Sequence, residues 1–188
     1  MLGEKRCYAV MPYGGEDEEK QKLYMLIYQL YIRIPAEDMG YMVEREDLSD
    51  DGGNIFTNVI EHLAEDDLVI ADISGINWNV AYELGIRHSL VKGKTILLCD
   101  KEQQDKKFDA FGLKVIFYRS KDIQIEFIEI QNRIKERIRS REQRVKADND
   151  IHIRYPILPQ FVCRDAIGRE KSQLDKDEME KKKLERNK

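Results

Sequence analysis

Asp67-Leu-Val-Ile-Ala-Asp-Ile-Ser-Gly-Ile-Asn-Trp-Asn-Val-Ala-Tyr-Glu-Leu-Gly85 is the stretch that decides the fold. Asp67 to Ile73 is a short, nearly continuous apolar run, the pattern of a strand buried on both faces. Ser74 and Gly75 interrupt it. From Asn79 to about Leu90, the apolar residues Val80, Ala81 and Leu84 sit on one face of a helix, and Asn79 is suited to cap its N-terminus. A buried strand running into an amphipathic helix is half of a βαβ unit.

The same alternation extends outward in both directions. Arg6-Cys-Tyr-Ala-Val-Met-Pro12 reads as a first strand, stopped by Pro12 and the Gly14-Gly15 turn. Leu23, Leu26, Ile27, Leu30 and Ile34 predict a helix over residues ~16–34, closed by Pro35. Tyr41 to Arg45 is a second strand. Asp50 to Asn54 offers turn and capping chemistry for a helix that carries Ile55, Val59, Ile60 and Leu63. Thr95 to Cys99 is a fourth strand. A polar loop from Asp100 to Lys107 leads through Phe108, Phe111 and Leu113 to a last strand, Val115 to Tyr118. Phe127, Ile130, Ile134 and Ile138 mark a long helix over residues ~121–144. Strands alternating with helices of this length imply right-handed crossovers and a parallel sheet. The expected fold is a three-layer, flavodoxin-like α/β domain over residues 1–147, its five strands ordered 2-1-3-4-5. Residues 148–188 form an extension. Two prolines keep Ile151 to Pro159 extended, and a charged, helical or frayed tail runs from Gly168 to Lys188.

A chain of 188 residues with 41% hydrophobic residues can bury a core, which excludes disorder throughout. Its net charge of −4, with 36% charged residues, provides no global attraction to nucleic acid or to an anionic membrane. No apolar run approaches the ~20 residues of a membrane span. The N-terminus enters a strand without a signal-peptide core, so a cytoplasmic location is expected. Cys7 and Cys99 lie within apolar strands and Cys163 in the extension, with no paired spacing for zinc. No metal or cofactor is expected.

Ligands of open parallel sheets bind beyond the carboxyl ends of the strands. Three polar segments leave those ends: Met11-Pro12-Tyr13-Gly14-Gly15, Glu46-Asp47-Leu48-Ser49-Asp50, and Asp72-Ile73-Ser74-Gly75. Asn79, Glu83 and Arg87, at i, i+4 and i+8, share one face of the helix that follows the third segment. Glu83 points back toward the strand ends, where a carboxylate can attack or shield an anomeric carbon. Asp72, at the strand tip, can hydrogen-bond a departing base or a sugar hydroxyl. The plainer reading makes Glu83 a solvated helix residue paired with Arg87, worth only ~0.3–0.5 kcal/mol, and Asp72 a turn former. Gly14-Gly15 before a helix suits phosphate, but Glu16-Asp17-Glu18-Glu19 repels it. Neither a dinucleotide-binding glycine motif nor a P-loop is present.

The order Val10-Met-Pro-Tyr13, then Ala71-Asp-Ile-Ser-Gly-x-Asn-x-Asn-Val-x-Tyr-Glu-Leu-Gly-Ile-Arg-His88, then Val115-Ile-Phe-Tyr118 resembles the nucleoside 2-deoxyribosyltransferase-like group. That group is akin to the TIR-like domains of bacterial defence systems. The likeness covers residues ~6–120. It implies that Glu83 is the nucleophile of a glycosyl-enzyme ester and that Asp72 holds the base. TIR-type NADases likewise place a catalytic Glu on the helix after the third strand, often preceded by a Trp; here Trp78 stands five residues before Glu83 rather than four. Met11-Pro12-Tyr13 departs from the small-residue loop of the transferases, which favours a larger substrate such as NAD or a nucleotide.

The expected function is therefore N-glycosidic bond cleavage, as an NAD-cleaving effector of bacterial antiphage defence, with Glu83 and Asp72 as catalytic residues. Met11, Pro12, Tyr13, Ser74, Gly75, Asn79 and Arg87 are the expected substrate contacts. The alternatives are a nucleoside deoxyribosyltransferase or nucleotide N-glycosidase, and a non-catalytic module that senses a nucleotide or assembles a scaffold. A homo-oligomer that binds neither membrane nor nucleic acid is expected. The Tyr24, Tyr28 and Tyr31 stripe reads as core, and a receiver domain is discounted because the chain lacks the acidic pair after the first strand and the lysine at the end of the fifth.

Overall fold

The structure is a computed structural model of the chain and describes residues 4–48, 55–75, 77–91, 94–103 and 114–148. Strands β1 (Lys5–Val10), β2 (Tyr41–Glu44), β3 (Leu68–Asp72), β4 (Thr95–Asp100) and β5 (Val115–Tyr118) form one parallel sheet. Their order is β2-β1-β3-β4-β5, the expected flavodoxin-like arrangement. The helices are α1 (Glu18–Ile27), α2 (Ile34–Glu37), α3 (Ile55–Glu65), α4 (Trp78–Leu90) and α5 (Ile123–Asp148). None of the described helices is long and apolar enough to cross a membrane.

Strand alternation divides the core into two. Cys7, Ala9, Leu68, Ile70, Ile96 and Leu98 face one side, where Tyr24, Ile27, Ile130, Ile134 and Ile138 of α1 and α5 pack on them. Tyr8, Val10, Val69, Ala71 and Leu97 face the other, under Leu63 of α3 and Val80 and Leu84 of α4. Each buried Val, Leu or Ile side chain among them contributes roughly 1.5–3 kcal/mol, so β1 and β3, covered on both faces, anchor the domain.

Two local expectations need correction. Pro35 does not end the first helix. After α1 the chain widens into a π-helical segment, Tyr28–Arg33, and Pro35 lies in the first turn of α2. The wide hydrogen-bond pattern of the π-helical segment reaches Ile34, whose N–H bonds to the Gln29 carbonyl. The next carbonyl, Leu30, accepts from the Gln131 side-chain amide at 2.9 Å, so the helical path continues past the proline. The wide turns keep Tyr28, Tyr31 and Ile32 in the core, as the tyrosine stripe requires. The cap of α4 is Asn77 rather than Asn79. Its side chain accepts from the backbone N–H groups of Asn79 and Val80 at 3.0 and 3.2 Å. The Asp50 to Asn54 turn, the Phe108 to Leu113 segment and the extension beyond Asp148, including Ile151 to Pro159 and Cys163, lie outside the described residues.

Arg87 is also relocated. Running antiparallel to β3, α4 carries Arg87 one turn further from the rim than Glu83, to the amino-terminal end of the sheet. There the fully buried guanidinium donates to the backbone carbonyls of Leu63 at 2.9 Å and Lys94 at 3.1 Å, joining α3 to the start of β4. Burial lowers its pKa to about 10, opposed chiefly by Asp66, so it stays charged at neutral pH. Arg87 is a structural tie and neither a substrate contact nor the partner of Glu83. Arg87→Met keeps most of the stem but strands both carbonyls; we expect a loss of about 2–4 kcal/mol, read as a lower urea midpoint at unchanged slope.

Candidate active site

At the carboxyl rim, β1 passes through buried Met11 and Pro12 to Tyr13, which is partly exposed. Gly14, at φ +93°, packs so tightly on the start of α1 that a Cβ there would lie 2.6 Å from the backbone nitrogen of Gln21. Only glycine fits. The N-terminus of α1 is closed by its own Asp17, which accepts from the backbone N–H of Lys20 at 3.1 Å. That bond lowers the pKa of Asp17. The acidic cap leaves this helix end unsuited to phosphate, as the run Glu16 to Glu19 suggests.

The turn after β2 is pinned by a buried arginine. The Arg45 guanidinium, 4% exposed, grips Asp47 through two parallel hydrogen bonds of 2.5 and 2.6 Å. It stacks on Tyr28 at 4.5 Å, faces the Tyr13 ring at 5.8 Å and donates to the Met11 Sδ at 3.6 Å. Glu46 to Leu48 is thereby held as a tight turn beside Tyr13, with Leu48 N–H bonded to the Arg45 carbonyl at 3.0 Å.

Glu83 reaches this rim from the second turn of α4. It is half-buried, and among the described residues it has neither a hydrogen bond nor an ion pair. Burial, and then the negative charge of Glu46, raises its pKa to about 7. The Glu83 charge in turn acts on Tyr8 and Tyr13. Burial raises both phenols, Tyr13 to about 12, with Glu83 the next cause in each. Glu83, Glu46, Tyr8 and Tyr13 therefore lie within range of one another's charge at this rim. Trp78 and Tyr82, 79% and 59% exposed, stand on the outer side of the same two turns of α4, and Asn79 is exposed in its first turn.

Asp72 is not among these groups. In step with Leu68 and Ile70, it turns to the α1–α5 face and is fully buried. It accepts from Tyr118 Oη at 2.6 Å, from the Ser74 N–H at 2.9 Å and from Ser74 Oγ. Ser74 Oγ also accepts from the Asp100 N–H at 2.8 Å. The Asp100 carboxylate accepts from the Glu102 N–H and the Gln103 amide. Gly75, at φ +66°, donates to the Gln103 carbonyl at 3.0 Å. Burial raises the Asp72 pKa against the hydrogen bonds that lower it. Asp72, Ser74 and Gly75 thus lace the tips of β3, β4 and β5 together, and every bond Asp72 makes is accounted for within the fold.

Of the residues expected at the site, Tyr13 and Glu83 lie on the same rim within range of each other's charge, while Met11 and Pro12 are buried at the end of β1. Asp72, Ser74 and Gly75 form a separate network, and Arg87 lies at the far end. Tyr8, Arg45 and Glu46 were not singled out by sequence. The available signal was the acidic Glu46-Asp47 pair at a strand end, in a segment already placed on the rim. Among the described residues no group of three His, Cys, Asp or Glu side chains is arranged to hold a metal. No protein-family model matches the chain, and no curated protein matches it.

Two measurements separate these roles. Asp72→Ala leaves two hydroxyls and an N–H without their acceptor, and we expect a loss of about 2–4 kcal/mol in urea unfolding, partly recovered by Asp72→Asn. Glu83 behaves in the opposite sense. A carboxyl raised from 4.5 to about 7 makes the folded state bind more protons than the unfolded state between those pH values, so stability falls as pH rises through that window. With partial solvent screening the effect is on the order of 1–2 kcal/mol. Glu83→Gln should be more stable than wild type at pH 8 by that amount, and equal to it below pH 4.5. Equal stability at both pH values would overturn this placement of Glu83.

Proposed function

We propose that the chain cleaves an N-glycosidic bond, with Glu83 as the carboxylate at the anomeric carbon and NAD as the substrate, in bacterial antiphage defence. Glu83 itself is the observation that carries this reading. It is a half-buried acid on the ligand-binding rim, beside two tyrosines, with no partner among the described residues. Burying an acid without a partner costs stability, and Asp72 shows how this fold satisfies one that is structural.

The chemistry follows from charge. As the bond between C1′ and the base nitrogen breaks, its electron pair leaves with nitrogen and positive charge develops on the sugar. Ionised Glu83, with Glu46 close by, favours that charge in a half-buried site. A pyridinium base such as nicotinamide departs neutral and needs no proton donor. Water then supplies the hydroxyl at C1′. Tyr13, with part of its ring exposed, offers a surface on which the base stacks. The likeness of the Asp72 to Gly85 segment to the deoxyribosyltransferase-like and TIR-like groups supports the same bond class. The buried free thiols of Cys7 and Cys99 suit the cytoplasm.

A binding or assembly module is the second reading, favoured by the exposed Trp78 and Tyr82 beside Glu83. Incubating the full chain with NAD, then with nucleotides and deoxynucleosides, distinguishes the readings. We expect free nicotinamide, a rate that rises with pH through about 7 as Glu83 ionises, and at least a roughly 10³-fold fall in kcat in Glu83→Gln. Release of base from deoxynucleosides alone would favour the transferase. Release from no substrate, with ligand recovered intact, would favour the module.

A further inference from the structure

β2 lies at the edge of the sheet with β1 as its one neighbour, and its last residue, Glu44, is in register with Tyr8. His62, in the last turn of α3, covers that pair. Its ring stacks on Tyr8, the centroids 4.7 Å apart and the planes within 1°. Each ring nitrogen then faces a carboxylate. Nδ1 lies 3.1 Å from Asp66 Oδ2, and Nε2 lies 3.3 Å from Glu44 Oε2. A neutral imidazole has one N–H and one lone pair, so only the imidazolium donates to both acids.

We propose that His62 is a proton-gated clasp: as imidazolium it ties the end of β2 to α3, and loss of its proton releases that end and the rim turn beyond it. The Asp66 side chain is 1% exposed. Arg6 Nε, from β1, stands 3.1 Å from its other oxygen but out of hydrogen-bond alignment, so His62 is the hydrogen-bond donor to this carboxylate among the described residues. A buried acceptor loses more than an exposed one when left bare, so a neutral ring keeps its proton on Nδ1 for Asp66. Nε2 then turns a lone pair toward Glu44, and attraction becomes repulsion. The other charges around the pair are Glu65, bonded to Arg6 at 3.4 Å, and Arg87 of α4, whose charge acts on Asp66; Tyr8 is a neutral phenol. Glu44 leads directly into Arg45, whose grip on Asp47 and Tyr28 is the second hold on the turn. The bond to Asp66 raises the His62 pKa above 6.5; burial and Arg6 oppose it, and the charges of Asp66 and Glu44 add to it. A pKa raised on folding gives stabilisation that is complete below the unfolded value and lost as pH rises through the folded one. The clasp is therefore closed in mildly acidic solution and opens above its folded midpoint, whatever chemistry the rim performs.

NMR of the full chain tests this. The ring signal lost in His62→Asn assigns His62. We expect its midpoint above 6.5 in wild type, and lower by roughly half a pH unit or more in Glu44→Gln. The Leu48 N–H, bonded to the Arg45 carbonyl, reports the turn. Its exchange protection factor should fall roughly 3- to 10-fold as pH rises through the His62 midpoint. In Glu44→Gln and in His62→Asn it should be low and flat over that range. Glu44 is 39% exposed, so Glu44→Gln removes one side of the clasp without disturbing the core. A His62 midpoint at or below 6.5, or constant Leu48 protection in wild type, would overturn the proposal. So would a wild-type step that persists in Glu44→Gln, because that step belongs to the ionisation of Glu83.

Discussion

A parallel sheet brings every carboxyl end to one rim, and strand alternation then decides which of the two faces each tip residue serves. Most of this molecule's chemistry follows from that pair of constraints. Asp72 is in step with Leu68 and Ile70, so it must enter the α1–α5 layer, where Ser74 and Tyr118 saturate it. Helix α4 packs over the opposite face, beside Tyr8 and Val10. An acid on the second turn of α4 therefore meets the ends of β1 and β2 rather than Asp72. Two carboxylates eleven positions apart in sequence end in different environments, one partnered and one bare.

Magnitudes show which interactions hold the rim in place. Exposed pairs such as Lys22–Glu18 at 3.9 Å and Arg33–Glu37 at 2.8 Å contribute about 0–1 kcal/mol each and cannot position a site. Arg45 is different in kind. It is buried, forked onto Asp47 and stacked on Tyr28, and such a pair loses several kcal/mol when one partner is removed. Tyr28 is in place for that stack because the π-helical segment turns it into the core. A widened helix on one layer thus fixes an acidic turn at the rim.

The fold was legible because it rests on apolar periodicity. β5 runs from Val115 to Tyr118 as its composition indicates, and β3 lies within the run from Asp67 to Ile73. The errors came where local rules compete. Pro35 stops a regular α-helix but not one preceded by π turns, and Asn77 and Asn79 are equally good capping residues until backbone geometry selects the first. Site residues were less legible. Spacing put Arg87 on one face with Asn79 and Glu83, but Arg87 is buried alongside Val80 and Leu84, and spacing does not register the distance along the helix axis that carries it to carbonyls at the other end of the sheet. Glu46 was obscured because one acid in an acidic turn looks like any other until Arg45 claims its neighbour.

The acidity of this rim also bears on how a dinucleotide would lie in it. Glu83 and Glu46 suit a cationic base and a sugar developing positive charge, whereas Asp17 closes the helix end that would otherwise take phosphate. On the proposed reading, the nicotinamide riboside end enters beside Tyr13 and the pyrophosphate stays toward solvent. A bound pyridinium would also favour ionised Glu83, since a nearby cation lowers a carboxyl pKa. The substrate would thus help to deprotonate the group that attacks it, and a neutral purine nucleoside would not. In the free protein the repulsion between the two acids is relieved by a proton on Glu83. On the proposed reading, a ligand that becomes, or already is, positively charged would take over that role, which would make the rim selective for the charge of the base as much as for its shape.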